Sequence, residues 1–522
     1  MVAPETRSER LQQVVVTAQQ MGDIESRIFA AGMPVAALME KVGGQLAQRI
    51  QALYPNARTK RIGCLVGPGH NGGDALVVAR ELHSQGYDVT IYRPFGKLKD
   101  LTAQHAQYAE RLGIPHCEQV EPLADCDVLV DGLFGFGLTR SLDGTIATIV
   151  DQINQWSTPV ISIDVPSGLH TDSGAALGTA IRATRTLCLG LWKLAFMQDQ
   201  ALEYTGASEL IDFGIPLADI EAVLGASPPL QRITRQTAIA PLSIPRPSST
   251  YKYKQGHLLL IAGSRQYMGA ALLTALSARA SGVGMLSVAV PESARSVLMA
   301  QVPEGLTIGC PEDETGAIAR LPQEVDLSKY SAIACGPGLT RNAEPVVQQV
   351  LENDAPLVLD ADGLNIVAQR GTVATLSKRA APTVLTPHLG EFKRLFPDFA
   401  KQDDRISGLQ AAAQQSKAVV LLKGARTAIA NSDHVWFNPE STPALARGGS
   451  GDVLTGLIGG LLAQAVLAGV SPEAIVQSAA WWHAQAGILA AQERTELGVD
   501  AYTLTHYLIP TLQQHAEAIK RL

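Results

Sequence analysis

The sequence predicts an α/β protein of two domains, and three observations support this fold class. Strand-like apolar runs alternate with helical segments in both halves of the chain. A cluster of prolines between residues 216 and 250 separates the two alternating series. The predicted strands end in polar residues flanked by glycine, which is typical of parallel strands that border a ligand crevice. At 522 residues the chain is also too long for one ordinary domain.

The first half begins with an amphipathic segment, residues 8–30, and continues as a strand–helix series. Helices are predicted over 35–53 and 75–85, and strands at 61–66, 88–92, 128–131, 160–164 and 186–189. This alternation predicts a Rossmann-like, doubly wound parallel sheet with helices on both faces.

The second half restarts the alternation after the prolines. Strands are predicted at 257–262, 285–290, 332–335, 357–360, 383–385, 419–422 and 427–430, with a helix at 270–281 and a helical tail. The predicted domains are therefore residues 1–225 and 251–522, joined by a Pro-rich linker over 226–250.

Composition excludes several classes of protein. The chain has 46% hydrophobic and 17% charged residues, which argues against disorder. Lys and Arg number 42 against 49 Asp and Glu, a net charge of −7 that argues against nucleic-acid binding. None of the six cysteines forms a C-x-x-C pair and no signal-type segment is visible, so we expect reduced cysteines and a cytoplasmic location. The uncharged stretch 453–470 is expected to be a buried core helix, not a membrane span.

The most informative segment is 446–456, Ala-Arg-Gly-Gly-Ser-Gly-Asp-Val-Leu-Thr-Gly. Its glycines and serine lead directly into an apolar helix, and the backbone N–H groups at such a helix start favour a bound anion. Asp452, beside that anion site, can act as a base toward a hydroxyl. The segment indicates phosphoryl transfer to an alcohol, and the alternative is a tight turn with an Asp cap.

A second glycine-rich segment, 67–74, follows a strand and opens a helix, and it matches G-x-G-x-x-G. A standard NAD dehydrogenase is disfavoured because Tyr92-Arg93-Pro94 stands where its acidic residue is expected. Two further strands end at Asp131 and Asp164, the latter followed by Ser167. Together with Asn71 these residues offer oxygen ligands that suit a hard cation, whereas no His and Cys set suits zinc.

These motifs resemble those of the YjeF N-terminal family, over about residues 8–225. The resemblance is carried by Thr17 to Met21, Glu25, Leu38 to Glu40, the segments 67–74 and 131–138, and Asp164 to Gly168. Members are NAD(P)H-hydrate epimerases, which interconvert the R and S forms of hydrated NAD(P)H. The resemblance implies potassium ligation by Asn71, Asp131 and Ser167. It implies substrate contacts from His70, Asn71, Gly72, Gly73, Asp74, Gly135, Phe136, Gly137, Leu138, Thr139, Arg140 and Ser141. Asp164 is the candidate acid/base, since epimerisation at the hydrated carbon needs proton movement.

Several polar strand ends accompany Asp452 in the second half. They lie at 263–270, 336–339, 360–365, 386–391 and 423–427. Together with the anion site they predict one large nucleotide-and-substrate cleft.

This half resembles the YjeF C-terminal family, a branch of the ribokinase-like fold, from about Lys252 to Ile509. The resemblance includes 482–487 and 498–501. Members are ADP- or ATP-dependent NAD(P)H-hydrate dehydratases, which phosphorylate the hydroxyl of the hydrate and then eliminate phosphate. The resemblance implies that Asp452 is the base, with magnesium and ADP as partners. It implies nucleotide contacts from Lys423, Gly424, Ala425, Arg426, Thr427, Ser450 and Gly451, and contacts to hydrated dinucleotide from Ala270, Gly338 and His388.

The two resemblances together imply one repair enzyme that recovers both epimers of hydrated NADH and NADPH, and the families imply a homo-oligomer. Two alternatives remain open at this point. The second domain could be a small-molecule alcohol kinase of the ribokinase-like class. The first domain could be a non-catalytic dinucleotide-binding module.

Overall fold

The computed structural model describes residues 6–401 and 404–520 of the chain. They form two compact units, Met1–Leu230 and Gln231–Leu522. Each unit contains helices and one large, mainly parallel β-sheet, so the predicted α/β fold class is confirmed.

The first unit consists of short strands between helices. Its strands are β1 (Val15–Val16), β2 (Arg61–Val66), β3 (Asp88–Tyr92), β4 (His116–Cys117), β5 (Val128–Gly132), β6 (Val160–Ile163), β7 (Arg185–Leu189), β8 (Trp192–Lys193) and β9 (Ala207–Ile211). Its helices are α1 (Arg7–Gln13), α2 (Ala18–Ala30), α3 (Val35–Leu53), α4 (His70–Ser84), α5 (Asp100–Arg111), α6 (Gly144–Ile153), α7 (Leu202–Thr205) and α8 (Leu217–Leu224).

The second unit begins at its first strand and ends in three long helices. Its strands are β10 (Leu230–Arg232), β11 (His257–Ile261), β12 (Met285–Pro291), β13 (Leu306–Cys310), β14 (Ala332–Cys335), β15 (Leu357–Leu359), β16 (Thr383–Leu385), β17 (Val419–Leu422), β18 (Ala428–Ala430) and β19 (Val435–Phe437). Its helices are α9 (Arg235–Ile239), α10 (Met268–Ala280), α11 (Arg295–Gln301), α12 (Glu344–Leu351), α13 (Ala361–Arg370), α14 (Thr372–Leu376), α15 (Leu389–Leu395), α16 (Arg405–Ser416), α17 (Ser450–Ala468), α18 (Pro472–Arg494) and α19 (Ala501–Lys520).

The sheet of the first unit has the order β4-β3-β2-β5-β6-β7-β9, and every neighbouring pair is parallel. The chain builds outward from β2 in one direction and from β5 in the other. The strand order therefore reverses between β2 and β5, and the loops after these strands diverge there. Such a reversal opens a crevice at the carboxyl ends of the strands, where doubly wound proteins bind ligands.

The second sheet repeats this arrangement in a larger form. Its order is β10-β19-β18-β17-β16-β15-β14-β11-β12-β13, and the reversal lies between β11 and β14. The strands from β13 to β17 pair in parallel, whereas β18 and β19 pair antiparallel with their neighbours. Residues 423–427 thus form a hairpin loop after β17 and lie at the same edge as the other strand ends.

Most sequence-predicted elements are confirmed. The strands predicted at 61–66, 88–92, 332–335, 383–385 and 419–422 match to the residue, and the other predicted strands begin or end within one residue. The structure adds short strands that the sequence analysis did not predict, namely β1, β4, β8, β9, β10, β13 and β19.

Three predicted elements differ from the structure. The amphipathic segment 8–30 is divided by β1 into two helices. Helix α4 begins at His70, so residues 70–74 form its first turn and not a loop. A Cβ at Gly72 would lie 2.0 Å from the Gly67 carbonyl oxygen, which shows how closely this turn folds against the preceding loop. Within the predicted linker, residues 233–242 contribute Ile233, Ala238, Ile239 and Leu242 to the core of the second unit.

Helix α17 is the apolar centre of the second unit. By length and composition alone it could cross a membrane, yet 67% of its most apolar window is buried inside the protein. It packs against α10 and the sheet with Val453, Leu457, Ile458 and Leu462 fully buried. The prediction of a buried core helix is confirmed. The six cysteines, all predicted to be reduced, are free.

Helix α17 can pack closely against α10 because Gly456 has no side chain. A Cβ at Gly456 would lie 2.0 Å from the Thr274 carbonyl oxygen and 2.1 Å from Ser277 Oγ. We expect Gly456→Ala to destabilise the second unit by at least ~2 kcal/mol, because α10 and α17 must separate. Gly269→Ala is the matched control on α10, since a Cβ there has nothing within 4 Å. Calorimetric unfolding of the full chain measures both variants, and equal melting temperatures would contradict this account of the packing.

Candidate active sites

A cavity of about 500 Å³ lies in the crevice of the first unit. Its walls come from the start of α4, the loop after β5 and the ends of β6 and β7. Basic side chains of His70, Lys99 and Arg140 are exposed and line the outer part, whereas Asp74, Asp164 and Lys193 are buried. This distribution suits a ligand with anionic groups at one end and a proton-transfer centre at the other.

Asp164 and Lys193 form a buried ion pair at the inner wall. Lys193 Nζ lies 2.5 Å from Asp164 Oδ1 and also donates to the Leu189 carbonyl oxygen at 2.5 Å. The Leu189 N–H donates to the same Asp164 oxygen at 3.2 Å. Burial by itself lowers the pKa of Lys193, but the nearby Asp164, Cys188 and Glu25 outweigh it, so its pKa is raised. The lysine therefore stays charged and forms an ion pair with Asp164.

Backbone conformation directs Asp164 toward the cavity. The residue follows β6 with a φ of +67°, a left-handed conformation that a non-glycine residue adopts only when its surroundings hold it there. Strain of this kind concentrates at functional sites. The motif around Asp164 predicts that it is an acid/base residue. In the structure Asp164 lines the same cavity as residues of the predicted segments 70–74 and 135–140.

Two other carboxyl groups face the same cavity. Burial raises the pKa of Glu25 to about 7, with Lys193 lowering it and Asp164 raising it in turn. Burial, then Asp164 and Glu25, raise the pKa of Asp74 well above its usual range. The shift favours the protonated form of Asp74, and Glu25, with its pKa near 7, can both give and take a proton at physiological pH.

Local sequence explains how Glu25 and Lys193 reach the cavity. Val16 pairs with Lys193 in the small parallel sheet of β1 and β8. Thr17 then caps α2 through a reciprocal pair of hydrogen bonds with Gln20, which starts the helix directly after β1. Glu25 lies two turns further along α2, and the chain segment before the main sheet thereby closes one side of the cavity.

The three predicted cation ligands surround the loop after β5. Asp131 is fully buried, and its carboxylate accepts hydrogen bonds from Ser162 Oγ at 2.7 Å and Ser167 Oγ at 2.6 Å. Ser167 Oγ also lies 3.2 Å from the Phe134 carbonyl oxygen. Burial raises the pKa of Asp131, and hydrogen bonds from Ser167, Ser162 and the Leu133 N–H partly oppose this. Within residues 6–401 and 404–520, Asp131 has no basic partner.

Asn71 completes this cluster. A Cβ at Gly135 would lie 3.3 Å from Asn71 Oδ1, so the Asn71 side chain borders the same loop, and its Nδ2 is buried without a hydrogen-bond partner in the described part of the chain. An unpaired buried carboxylate beside amide, hydroxyl and carbonyl oxygens fits a monovalent hard cation. The residues therefore fit the potassium site that the sequence resemblance implies.

Most of the predicted substrate contacts in the first unit line the cavity. These are His70, Asn71, Asp74, Gly135, Phe136, Gly137, Leu138, Thr139 and Arg140. Gly72 and Gly73 instead pack inward, and a Cβ at Gly73 would lie 2.5 Å from Met39 Sδ. Ser141 follows the lining segment and is exposed.

In the second unit, Asp452 lies in the first turn of α17. Gly449 precedes the helix in a left-handed conformation, φ +90°, and no side chain caps the helix start. The Ser450 N–H donates to the Arg447 carbonyl oxygen at 3.3 Å, whereas the N–H groups of Gly451 and Asp452 remain available to an anion, as the sequence predicts. Burial, followed by the charge on Asp360, raises the pKa of Asp452 to about 7, although Lys423 opposes the shift.

Lys423 connects the other acidic groups around Asp452. Its Nζ lies 2.8 Å from Asp360 Oδ1 and 3.9 Å from Glu391 Oε2. Thr455, one turn after Asp452, donates to Asp360 Oδ2 at 2.7 Å. Burial lowers the pKa of Lys423, but Asp360, Glu391 and Asp452 outweigh it, so the pKa is raised and the lysine is charged. A Cβ at Gly451 would lie 3.3 Å from Lys423 Nζ, which places this charge at the anion site.

The buried His483 contacts Ser450, the first residue of α17, and so holds the start of this helix in place. His483 Nε2 lies 3.0 Å from the Ser450 carbonyl oxygen and 3.3 Å from Ser450 Oγ. Burial lowers the pKa of His483 to about 4, with Lys423 acting in the same direction and the Ser450 carbonyl opposing it. The imidazole is therefore neutral, and its Nε2–H donates to the carbonyl and anchors the start of α17.

The predicted dinucleotide contacts lie around the reversal of the second sheet. A Cβ at Gly338 would lie 2.7 Å from the Tyr267 carbonyl oxygen and 2.9 Å from Ala270 Cβ, so Ala270 and Gly338 are neighbours. His388 caps α15, its Nδ1 accepts from the Gly390 N–H at 2.9 Å, and its side chain is 56% exposed. An isolated bridge joins His388 to Lys423, which links this histidine to the acidic cluster.

Sequence reasoning did not identify several residues of these sites. The sequence does not predict five residues of these sites, namely Lys193, Asp360, Glu391, Thr455 and His483. Glu25 belongs to a motif of the first domain, but the sequence predicts no role for it. The available signal for Lys193 is a lone lysine in the apolar segment 187–197, four residues after the end of β7. Asp360 and Glu391 stood in the predicted polar strand ends, but only three-dimensional proximity reveals that both face Lys423.

The two halves match two family models. The family described as NAD(P)H-hydrate dehydratase matches residues 258–510, and the family described as YjeF-related protein N-terminus matches residues 35–195.

Full-length relatives have the same two-part architecture over nearly the whole chain. The bifunctional NAD(P)H-hydrate repair enzyme of Synechocystis sp. is 55% identical over 96% of this chain and 95% of its own length. That of Thermosynechococcus vestitus is 54% identical over 96% of this chain and 97% of its own. Among solved structures, the ADP/ATP-dependent NAD(P)H-hydrate dehydratase of Bacillus subtilis, co-crystallised with ATP and Mg²⁺, is 33% identical, with a TM-score of 0.47. It covers 54% of this chain and 98% of that chain.

The buried pair in the first unit leads to a stability prediction. Lys193→Met leaves the Asp164 carboxylate buried beside Glu25 and Asp74, and we expect a loss of about 3–5 kcal/mol in the free energy of unfolding of this unit. The matched control is Arg182→Met, which breaks an ion pair with Glu203 whose two side chains are each 56% exposed, and we expect a loss below about 1 kcal/mol.

Hydrogen exchange of the β7 amides in the full chain reports the first unit separately. The double variant Lys193→Met, Asp164→Asn removes both charges and should recover part of the lost protection. Equal exchange in the Lys193 and Arg182 variants would rule out a special contribution from the buried pair.

Proposed function

Because the chain belongs to the family of bifunctional NAD(P)H-hydrate repair enzymes, we propose that its two units carry out successive steps in repairing hydrated NAD(P)H. The first unit interconverts the R and S hydrates, as an isomerase. The second dehydrates the S form to NAD(P)H, as a lyase, and converts ADP to AMP and phosphate. The observation that carries this proposal is that each unit has its own crevice, each with a carboxyl group whose pKa is about 7.

In the first unit, the cavity accepts the hydrated nicotinamide end of the dinucleotide. His70, Lys99 and Arg140 at its outer part suit the phosphates, while Asp164 at the inner wall reaches the hydrated carbon. Asp164 acts as acid/base, and its hydrogen bond from Lys193 fixes the orientation of its carboxyl group at the inner wall. The Cβ-free loop at Gly135 and Gly137 lets the ligand approach the backbone closely.

Potassium is the proposed resident cation of this unit. Asn71, Asp131 and Ser167 would hold it, and when bound it would balance the buried Asp131 charge and stabilise the loop after β5. That loop carries Phe136 to Arg140 into the cavity wall, so a fixed loop orients the substrate.

In the second unit, Asp452 removes the proton from the hydroxyl of the S hydrate as that oxygen attacks the terminal phosphate of ADP. The transferred phosphate binds at the start of α17, at Ser450 and Gly451, where the Gly451 N–H is free to donate to it and the charged Lys423 lies beside Gly451. Residues 424–427 contact the nucleotide, and Ala270, Gly338 and His388 contact the dinucleotide. AMP leaves as the new P–O bond forms. The phosphate then leaves with the C–O electron pair, the lone pair of the ring nitrogen stabilises the resulting cation, and loss of a proton from the adjacent ring carbon supplies the electron pair that restores the nicotinamide double bond.

Magnesium accompanies the nucleotide as part of the substrate and offsets the charge of the transferring phosphate. The partners are hydrated NADH and NADPH together with ADP, and we propose a cytoplasmic homo-oligomer that binds neither nucleic acid nor membrane. The alternative of an alcohol kinase fused to a binding module finds no support in the relatives, whose names describe both repair activities.

The direct test is recovery of nicotinamide absorbance from a mixture of R and S hydrates with ADP, magnesium and potassium. The wild-type chain should recover the whole mixture faster than spontaneous epimerisation allows. Asp164→Asn should recover only the S fraction at the wild-type rate. Recovery of the S fraction alone by the wild type would reduce the first unit to a binding module, and a stable phosphorylated product would support the kinase.

Asp452→Asn should reduce dehydration by at least ~10²-fold while leaving epimerisation intact, because the amide cannot accept the hydroxyl proton. The base must be deprotonated, and its pKa is raised to about 7. The kcat/KM for dehydration should therefore rise between about pH 6 and pH 8 and then level off. Full activity of the variant, or a flat profile across this range, would refute the role of Asp452 as the base.

Replacing potassium with choline should slow epimerisation and leave dehydration unchanged. Asn71→Ala should be slow in both salts, because the ligand set is incomplete. Asn56→Ala is the control, since its amide lies outside the cavity and only donates to the Gln85 carbonyl oxygen. Epimerisation measured without nucleotide separates the two activities, and equal rates in both salts for the wild type would exclude the potassium site.

A further inference from the structure

Glu25 is a cavity residue that the sequence motifs leave without a role. It lies on α2, next to Ile24, which is fully buried in the core on the other side of the helix. No side-chain hydrogen bond to Glu25 occurs in the described ranges, although the residue is half-buried. A partly buried carboxyl group that faces a ligand cavity without a protein partner is available to a bound ligand.

The charged groups around Glu25 come from several elements. Lys193 on β8 and Asp164 after β6 are the charges that act on it most directly. Asp74 on α4 is affected by Glu25 in turn. Helix α8 packs on the opposite side of α2, where Asp219 accepts a hydrogen bond from Arg27. Lys193, the lysine that acts on Glu25, is paired with Asp164, and within the described ranges no ion pair joins Glu25 to a cation.

Inversion at the hydrated carbon requires two proton transfers of opposite direction. The departing hydroxyl must receive a proton, and the incoming water must lose one. A single carboxyl group is either protonated or ionised at a given moment, so it cannot both supply the proton of the departing hydroxyl and accept the proton of water that arrives on the other face. Two acid/base groups in different protonation states are therefore expected in an active site of this kind.

We propose that Glu25 is the second proton-transferring residue of the epimerase site, and that it works together with Asp164 on the hydroxyl of the hydrate. This inference rests on the proposed epimerase function. In one direction Glu25 donates its proton to the departing hydroxyl, which leaves as water with the C–O electron pair. The lone pair of the ring nitrogen stabilises the resulting cation as an iminium.

Water then adds to the same carbon from the other face. Its oxygen lone pair forms the new C–O bond, and Asp164 accepts the released proton. The ring has neither gained nor lost electrons, and the enzyme has a proton on Asp164 instead of Glu25. This is the starting state for inversion in the reverse direction, and proton exchange with solvent restores the first state. The same two residues thus serve both directions with their roles exchanged.

The test uses the full chain, potassium and an R-enriched hydrate without ADP, so that only epimerisation takes place. Chromatographic separation of the epimers gives the rate, and oxygen-18 water reports whether each inversion introduces one solvent oxygen. Glu25→Gln should slow inversion by at least ~10²-fold and slow oxygen-18 incorporation in parallel. Asp23→Asn is the matched control, because Asp23 is an exposed carboxylate on the same helix.

A pH profile separates proton transfer from a structural role. The wild-type rate should fall as pH rises above about 7, because Glu25 loses the proton that it must donate. The residual rate of Glu25→Gln should lack this fall, and Glu25→Asp should retain it with a lower maximum. Hydrogen exchange of β1 and β8 checks that both variants keep the fold.

The outcomes distinguish this inference from the proposed function. If the wild type does not interconvert the epimers, the epimerase function itself fails. If the wild type is active and Glu25→Gln inverts the hydrate at the same rate with the same pH profile, only the role of Glu25 is excluded. Loss of activity in Asp23→Asn as well would show that α2 acts through its structure and would also overturn the proposal.

Discussion

Each unit buries several carboxyl groups around one lysine, and this imbalance of charge shapes both sites. Lys193 pairs with Asp164 at 2.5 Å, and Lys423 pairs with Asp360 at 2.8 Å. A buried charge needs a partner, and one ammonium group fully balances only one carboxylate. Among the remaining carboxyl groups, Glu25 and Asp452 have pKa values raised to about 7. Both units thus combine a buried lysine–aspartate ion pair with a second carboxyl group whose raised pKa suits acid/base chemistry near neutral pH.

The units differ in how they bring the titrating group to the crevice. In the second unit Asp452 belongs to a helix that packs directly on the sheet, and His483 and Thr455 fix that helix start through Ser450 and Asp360. In the first unit Glu25 lies on α2, a helix that precedes the main sheet in the chain. The strand before α2, β1, pairs with β8 over two residues, and this pairing places α2 next to Lys193. The geometry of the first site therefore depends on a much smaller element.

Much of this organisation could be predicted from the sequence. Parallel strands such as β2 and β14 are continuous apolar runs, so their bounds follow from composition alone. Asp452 stands out because glycines surround it, and Asp164 because it ends an apolar strand and is followed by Pro166, Ser167 and Gly168. Edge strands such as β4 and β9 carry no such signal, because they are short and partly exposed.

The site residues that the sequence analysis does not identify were missed for a different reason. Lys193, Asp360 and Glu391 have ordinary sequence surroundings, and their significance arises from contacts between distant segments. Lys423 lies 63 positions from Asp360 along the chain, yet their atoms form an ion pair. A single sequence does not show which distant residues come into contact in the fold. It does show, through its glycines, where the backbone needs a conformation or a close approach that other residues do not allow.

Helix α17 has a consequence for the synthesis of the protein. As an isolated segment, Ser450–Ala468 has the length and apolarity of a span that a lipid bilayer would accept. Among its packing partners, α10, β11 and β14 precede it in the chain and α18 and α19 follow it, so the first three have left the ribosome before α17 emerges. A nascent chain folds its earlier segments first, and a prepared apolar surface can therefore cover this helix as soon as it appears. Moving the same segment to the start of the chain would remove that protection and expose it to aggregation and membrane insertion.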